Sequence, residues 1–283
     1  MAQIPANGIQ LHVLRMPAKA RPRADGQYPT VVFIHGLGPD SLASFYFTLA
    51  APVSSAGIEV IAYDLRGHGR SGRPPTEYRL TDFVADLAAL LDTLEVPRPV
   101  HLVGNSYGGT VAFSYALLHP ERVASLVMIE AEPATELWSR KIAKLFDRLS
   151  RLDDPGEMAS VTTQHGEYVA RLAKVTSHKL HTTTMARDVV SGPLLSREQI
   201  QSVQSPVIAI LGSESDFVDK AELASLLPGC RMVIVPGQGH WLLMDAPHTV
   251  RDLLLSWIAE YHPPAPQQPP ARVRRPHAEV SPA

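Results

Sequence analysis

Short, nearly continuous apolar runs alternate along this chain with stretches whose apolar residues recur at helical spacing. Residues 9–16 read as an early strand. The runs at 30–34 (TVVFI), 59–63 (EVIAY), 100–103, 125–129, 207–211 and 231–235 predict further strands. Runs with so little polar alternation suit a parallel sheet covered on both faces. Helices are expected at 81–94, 110–118 and about 245–261. The alternation predicts an α/β fold, with a mostly parallel central sheet flanked by helices. One segment breaks the rhythm. Residues 133–205 hold no clear strand but show amphipathic patterns at 138–149 and 168–175. They read as a helical cap inserted into a core made of 1–132 and 206–262. Loops at the carboxyl edge of such sheets commonly cover the site, so the cap is expected to act as a lid.

Composition adds boundaries. The 283 residues suffice for one large domain. A formal net charge of -2 gives no general pull toward nucleic acid or an anionic membrane. The lone cysteine, Cys230, excludes an internal disulfide framework and fits a reducing compartment. Residues 1–17 lack a basic stretch followed by an apolar run, and no apolar stretch is long enough to span a bilayer. The reading is cytoplasmic. Residues 263–283 carry seven prolines with Arg272, Arg274 and Arg275, and are expected to be disordered or extended. High alanine, proline and arginine usage points to a GC-rich bacterial source.

The chemistry concentrates at residues 104–108. The apolar run 100–103 ends in Gly104-Asn105-Ser106-Tyr107-Gly108, and an apolar helical stretch follows. A strand that reverses sharply into a helix would leave Ser106 at the tip of a tight turn, the arrangement of a nucleophile elbow. A serine hydroxyl needs a base for its proton and donors for the oxyanion. Asp216 follows the strand at 207–211, and His240 follows the strand at 231–235. Serine, acid, histidine is the chain order this fold uses. Ser106, Asp216 and His240 are therefore the expected triad, with Glu130, just past 125–129, as the rival acid. His35, His68 and His101 also sit near strand ends but come too early in the chain to serve as base. His35-Gly36-Leu37-Gly38 directly follows the strand at 30–34, so the backbone N–H groups of Leu37 and Tyr107 are the expected oxyanion donors. The glycine-rich stretch from Asp64 to Gly72 lacks the dinucleotide fingerprint and reads as architectural, with Asp64 and Arg66 tying the loop down. His178 and His181 have no evident third ligand, so neither a metal nor any other cofactor is expected.

With these residues in place, the chain resembles the α/β-hydrolase superfamily over about residues 9–261. His35-Gly36, the Asp64 loop, Gly104-x-Ser106-x-Gly108-Gly109, Asp216 and Gly239-His240 carry the resemblance. Asn105, Gly38-Pro39 and Trp241 also look like the branch that hydrolyses carbon–carbon bonds in ring-cleavage products. That branch usually has an asparagine eleven positions past the first histidine, where this chain has Tyr46. Ser106 differs from the aspartate of the related haloalkane dehalogenases and epoxide hydrolases. The resemblance implies a serine hydrolase that cleaves an ester, thioester or lactone of a small, largely apolar molecule. Gly36, Phe45, Tyr46, Trp138 and Trp241, with Tyr107, are the expected substrate contacts. The alternatives are carbon–carbon bond hydrolysis of a vinylogous diketone and non-hydrolytic small-molecule binding on the same fold. A small molecule is the expected partner, without nucleic acid or membrane, and a homodimer is compatible with the sequence.

Overall fold

The computed structural model describes residues 1–19, 28–96 and 99–261. The proline-rich segment 263–283 lies outside them. Eight strands form one sheet among the described residues: β1 (Ala2–Ala6), β2 (Ile9–Met16), β3 (Thr30–Ile34), β4 (Glu59–Tyr63), β5 (Val100–Asn105), β6 (Val123–Ile129), β7 (Val207–Gly212) and β8 (Arg231–Val235). Their order is β1-β2-β4-β3-β5-β6-β7-β8. From β4 to β8 all neighbours are parallel, and β1 and β2 add an antiparallel edge. Its alanines and Pro5, both uncommon in strands, concealed β1. The turn that forms it is legible in hindsight: Asn7-Gly8, with φ of 45° and 79°, makes the two-residue hairpin turn that Asn-Gly favours.

Each face of the sheet buries a separate core. On one face Val32, Leu102 and Leu126 pack with Phe83 and Leu87 of the helix Leu80–Thr93 and Val111 of the helix Tyr107–Leu118. On the other, Val31, Val103 and Val127 meet Phe45, Leu49, Leu254 and Trp257, the last two from the helix Pro247–Tyr261. The helix Tyr107–Leu118 is buried along nearly its whole length, so its sequence shows almost no amphipathic pattern. Between β6 and β7 lie the helices Glu136–Ser150, Pro155–Thr182, Met185–Asp188 and Arg197–Gln201, with no strand. Trp138, Ile142 and Phe146 of the first join the main core. The second bends at Gly166, where φ is 82°. Among the described residues no helix is long and apolar enough to cross a membrane.

Asp64 and Arg66 both anchor the loop after β4, but not to each other. Asp64 accepts from the Leu42 and Arg70 N–H groups at 2.8 and 2.9 Å and pairs with His12 Nδ1 at 2.9 Å. Arg66 grips Asp86 with Nε at 2.7 Å and a terminal nitrogen at 2.6 Å, and both side chains are about 1% exposed. Asn7 adds a bond to Asp86 at 3.0 Å, so one buried pair joins the hairpin, this loop and the helix Leu80–Thr93. Removing one partner of a buried pair leaves an uncompensated charge. Asp86→Ala should therefore cost about 3–5 kcal/mol of stability in urea denaturation. A loss below about 1 kcal/mol, the range of an exposed pair, would show that Arg66 is solvated some other way.

Candidate active site

The register of the sheet brings the chemistry to one edge. Asn105 and Ile129 are the last paired residues of β5 and β6, so Ser106 and Glu130 lie side by side just beyond them. The Ser106 N–H donates to the Ile129 carbonyl at 2.8 Å, and the Glu130 N–H to the Ile210 carbonyl at 3.0 Å. Both residues have positive φ, 51° and 49°. Ser106 combines this with ψ of -123°, a conformation that costs of order 1–3 kcal/mol for a residue with a Cβ. Two glycines permit the turn. A Cβ on Gly104 would fall 2.3 Å from the Gly108 carbonyl oxygen, and one on Gly108 would fall 2.0 Å from that of Ile34. The helix thus starts in backbone contact with the end of β3, and Ser106 stands at the tip as the sequence predicted.

The carboxylate that meets His240 is Glu130, not Asp216. Glu130 Oε2 lies 3.1 Å from His240 Nδ1. The carboxylate is fully buried and held on every side: its Oε1 accepts the Gly212 N–H at 2.5 Å and its Oε2 the Ser215 hydroxyl. Asp216 is exposed. The reason lies in the loop after β7, where Ser215 rather than Asp216 turns inward. Its buried hydroxyl reaches Glu130 and leaves the next side chain facing water. An acid at the end of β6 reaches the histidine as well as one after β7, because β6 lies between β5 and β7 in the sheet. A buried glutamate at a strand end, beside a candidate nucleophile one strand away, was the signal available for it.

His240, on the loop after β8, is about one-third exposed. The Phe217 ring lies against its imidazole at 4.0 Å between centroids. Lys141 of the helix Glu136–Ser150 sits 5.7 Å above that ring, donates to the Phe217 carbonyl at 2.7 Å and pairs with buried Glu132. Burial pushes the Glu132 carboxyl up, and Lys141 opposes it.

The expected oxyanion donors occupy suitable backbone. Tyr107 opens its helix, so its N–H has no intrahelical acceptor. Leu37 lies on the loop after β3, beside the elbow: a Cβ on Gly36 would fall 3.3 Å from the Ser106 Cβ. His35, which sequence reasoning passed over, fixes that loop. Its Nε2 accepts the Leu65 N–H at 2.9 Å, so its proton sits on Nδ1 and is donated to the Gly36 carbonyl at 2.7 Å. Burial lowers the His35 pKa and keeps the ring in this neutral form. In a trans peptide unit the C=O and the following N–H point in opposite directions. Holding the Gly36 carbonyl therefore aims the Leu37 N–H.

The predicted aromatic contacts do not form one wall. Phe45 is fully buried and stacked on Phe33 at 4.6 Å in the core of the opposite face, so it is corrected to a packing residue. Trp138 is also buried, stacked on Tyr107 at 6.1 Å, while Phe83 meets Tyr107 edge-on at 5.1 Å. Tyr46 and Trp241 are exposed. A one-dimensional sequence shows which aromatics lie near the catalytic loops, but not which face of the sheet each one enters. Among the described residues no group of three His, Cys, Asp or Glu is placed to hold a metal ion.

Comparison with known proteins agrees with this fold. A family model described as the alpha/beta hydrolase fold matches residues 29–155. The chain is 26% identical over 257 residues to the sn-1-specific diacylglycerol lipase ABHD11 of Mus musculus, covering 83% of this chain and 82% of that protein. It is 28% identical over 263 residues to a protein named as a carbamate hydrolase, RutD, from Caulobacter sp. (strain K31), covering 84% and 92%. A carboxylesterase structure from Nitrososphaera gargenis superposes with a TM-score of 0.73 at 21% identity, covering 92% of this chain and 98% of that one.

Proposed function

We propose that this chain, which has the α/β-hydrolase fold, is a serine hydrolase cleaving an ester, thioester or lactone of a small, largely apolar molecule. The observation that carries the reading is the row of strand-end residues: strained Ser106 after β5, buried Glu130 after β6 and His240 after β8, with Glu130 paired to His240. Esterase and lipase activity among its relatives and structural neighbours supports the choice of bond.

The reaction runs in two halves. His240 Nε2 takes the Ser106 proton as Oγ attacks the substrate carbonyl. Glu130 holds the Nδ1 proton and stabilises the imidazolium. The Leu37 and Tyr107 N–H groups receive the developing oxyanion. Collapse expels the leaving group, which takes the proton from His240 and leaves Ser106 acylated. Water then attacks the acyl carbon, gives its proton to His240, and the acid product departs as Oγ recovers that proton. The helical segment 133–205 caps this edge, and Tyr46 and Trp241 are proposed to meet substrate from its exposed rim.

A second reading, hydrolysis of a carbon–carbon bond in a vinylogous diketone, draws on Asn105. Its side-chain oxygen is buried without a protein partner next to the nucleophile and offers an acceptor to a substrate hydroxyl. A screen of p-nitrophenyl esters from acetate to butyrate against a coloured dienol-ketone separates the two. Ester turnover is the expected result. Bleaching of the dienol-ketone with esters inert would favour the second reading. Tight ligand binding without any turnover would make the protein a receptor.

A further inference from the structure

The oxyanion loop is held by buried His35 on the Gly36 carbonyl and by half-buried Asp40, whose carboxylate accepts the Gly36 N–H at 2.7 Å. A third hold comes from the helical insertion. Lys179, on the helix Pro155–Thr182, donates from Nζ to the Gly38 carbonyl at 2.6 Å. The same helix presses Thr176 onto the loop. Thr176 is buried, and its Oγ1 lies 3.1 Å from where a Cβ on Gly38 would fall. Gly38 has φ of +80°, so the chain passes beneath the helix in a conformation only glycine adopts freely.

The charge on Lys179 makes this more than packing. Among the described residues no carboxylate lies within 4.0 Å of its nitrogen. Withdrawing an ammonium from water for one carbonyl bond is costly. Burial, with the repulsion of Arg73, lowers its pKa to about 8, against the more distant pull of Asp40 and Asp64. Fixing a long lysine stem adds an entropy cost. An apolar side chain would fill the space without the desolvation cost, whereas the ammonium adds a directed bond to a catalytic loop. With the Gly36 and Gly38 carbonyls both fixed, and Pro39 restricting the next φ, the Leu37 peptide is bracketed on both sides.

We propose that Lys179 is a positioning residue that ties the helical insertion to the oxyanion loop and holds the Leu37 N–H in its catalytic direction. Docking of the insertion and competence of the oxyanion site then become one event. Lys141 makes the corresponding tie on the opposite side, through Glu132 and Phe217 to the His240 ring.

The kinetic part of this inference rests on the serine-hydrolase reading, so the test has two readouts. With p-nitrophenyl butyrate, Lys179→Met should lower kcat about tenfold with KM within about twofold, less than the hundredfold or more that follows loss of a whole oxyanion donor. Lys179→Arg, which keeps a charged donor, should recover kcat to within about threefold of wild type. Hydrogen exchange of the peptide 35–42 should be faster in Lys179→Met at an unchanged thermal midpoint. If that variant fails to fold, Lys179→Gln takes its place in both readouts. Wild-type kcat together with wild-type loop exchange would overturn the proposal. So would an unchanged kcat with KM raised only for anionic esters, which would assign Lys179 to substrate binding. If wild type shows no hydrolysis at all, the serine-hydrolase reading fails, and the exchange comparison still decides whether the tie holds the loop.

Discussion

Replacing Ser106 with alanine is expected to lower ester turnover about a millionfold, because a triad acts as a unit and loses nearly everything with its nucleophile. The effect should fall on kcat rather than on folding. Ser106 makes its structural bond to Ile129 through the backbone N–H, which alanine retains. Alanine also inherits the φ of 51° no worse than serine, so the thermal midpoint should stay close to wild type. Residual activity should match that of the oxyanion donors and binding alone. A variant with wild-type turnover would remove Ser106 from the mechanism altogether.

The second large effect separates two carboxylates. Glu130→Gln should lower kcat about ten-thousandfold, the scale seen when the acid of such a triad becomes an amide. The amide can turn its NH2 toward His240 Nδ1, which forces the ring proton onto Nε2, where the serine proton has to go. Asp216→Asn should stay within about twofold of wild type, as expected of an exposed surface change. Stability must be measured alongside, because Glu130 also accepts from Gly212 and Ser215, and an amide can serve only part of that set. Ser215→Ala is an informative companion: it removes one bond to Glu130 Oε2 while leaving the pair with His240 in place. The reverse pattern, with Asp216→Asn inactive and Glu130→Gln active, would restore Asp216 as the acid.

These two residues show what the sequence makes legible. The elbow is written locally: an apolar strand, a Gly-x-Ser-x-Gly turn and an apolar helix occupy consecutive positions, and backbone sterics do the rest. His240 is nearly as local, sitting a few residues past the β8 run. The acid is different. Glu130 and Asp216 both follow buried strands and both fall between Ser106 and His240, so chain order does not choose between them. The decision falls to Ser215, a small hydroxyl that turns inward and leaves Asp216 in water. No periodicity encodes that turn. Phe45 failed for a related reason: its nearness to the loop after β3 is visible in sequence, but its seat against Phe33 depends on how the 43–55 segment packs beneath the sheet. The hold of Lys179 on Gly38 joins residues 141 positions apart and is visible only in three dimensions. By contrast β1 was within reach, since Asn7-Gly8 announces a hairpin that the alanines and proline of AQIPA concealed.

Covalent labelling tests the role of Ser106 as nucleophile most directly. Wild-type protein is treated with a fluorophosphonate, digested, and the modified residue mapped by mass spectrometry. One adduct is expected, on Ser106, absent from Ser106→Ala, formed much more slowly in Glu130→Gln and at the wild-type rate in Asp216→Asn. No adduct, or an adduct on another residue, would contradict that role.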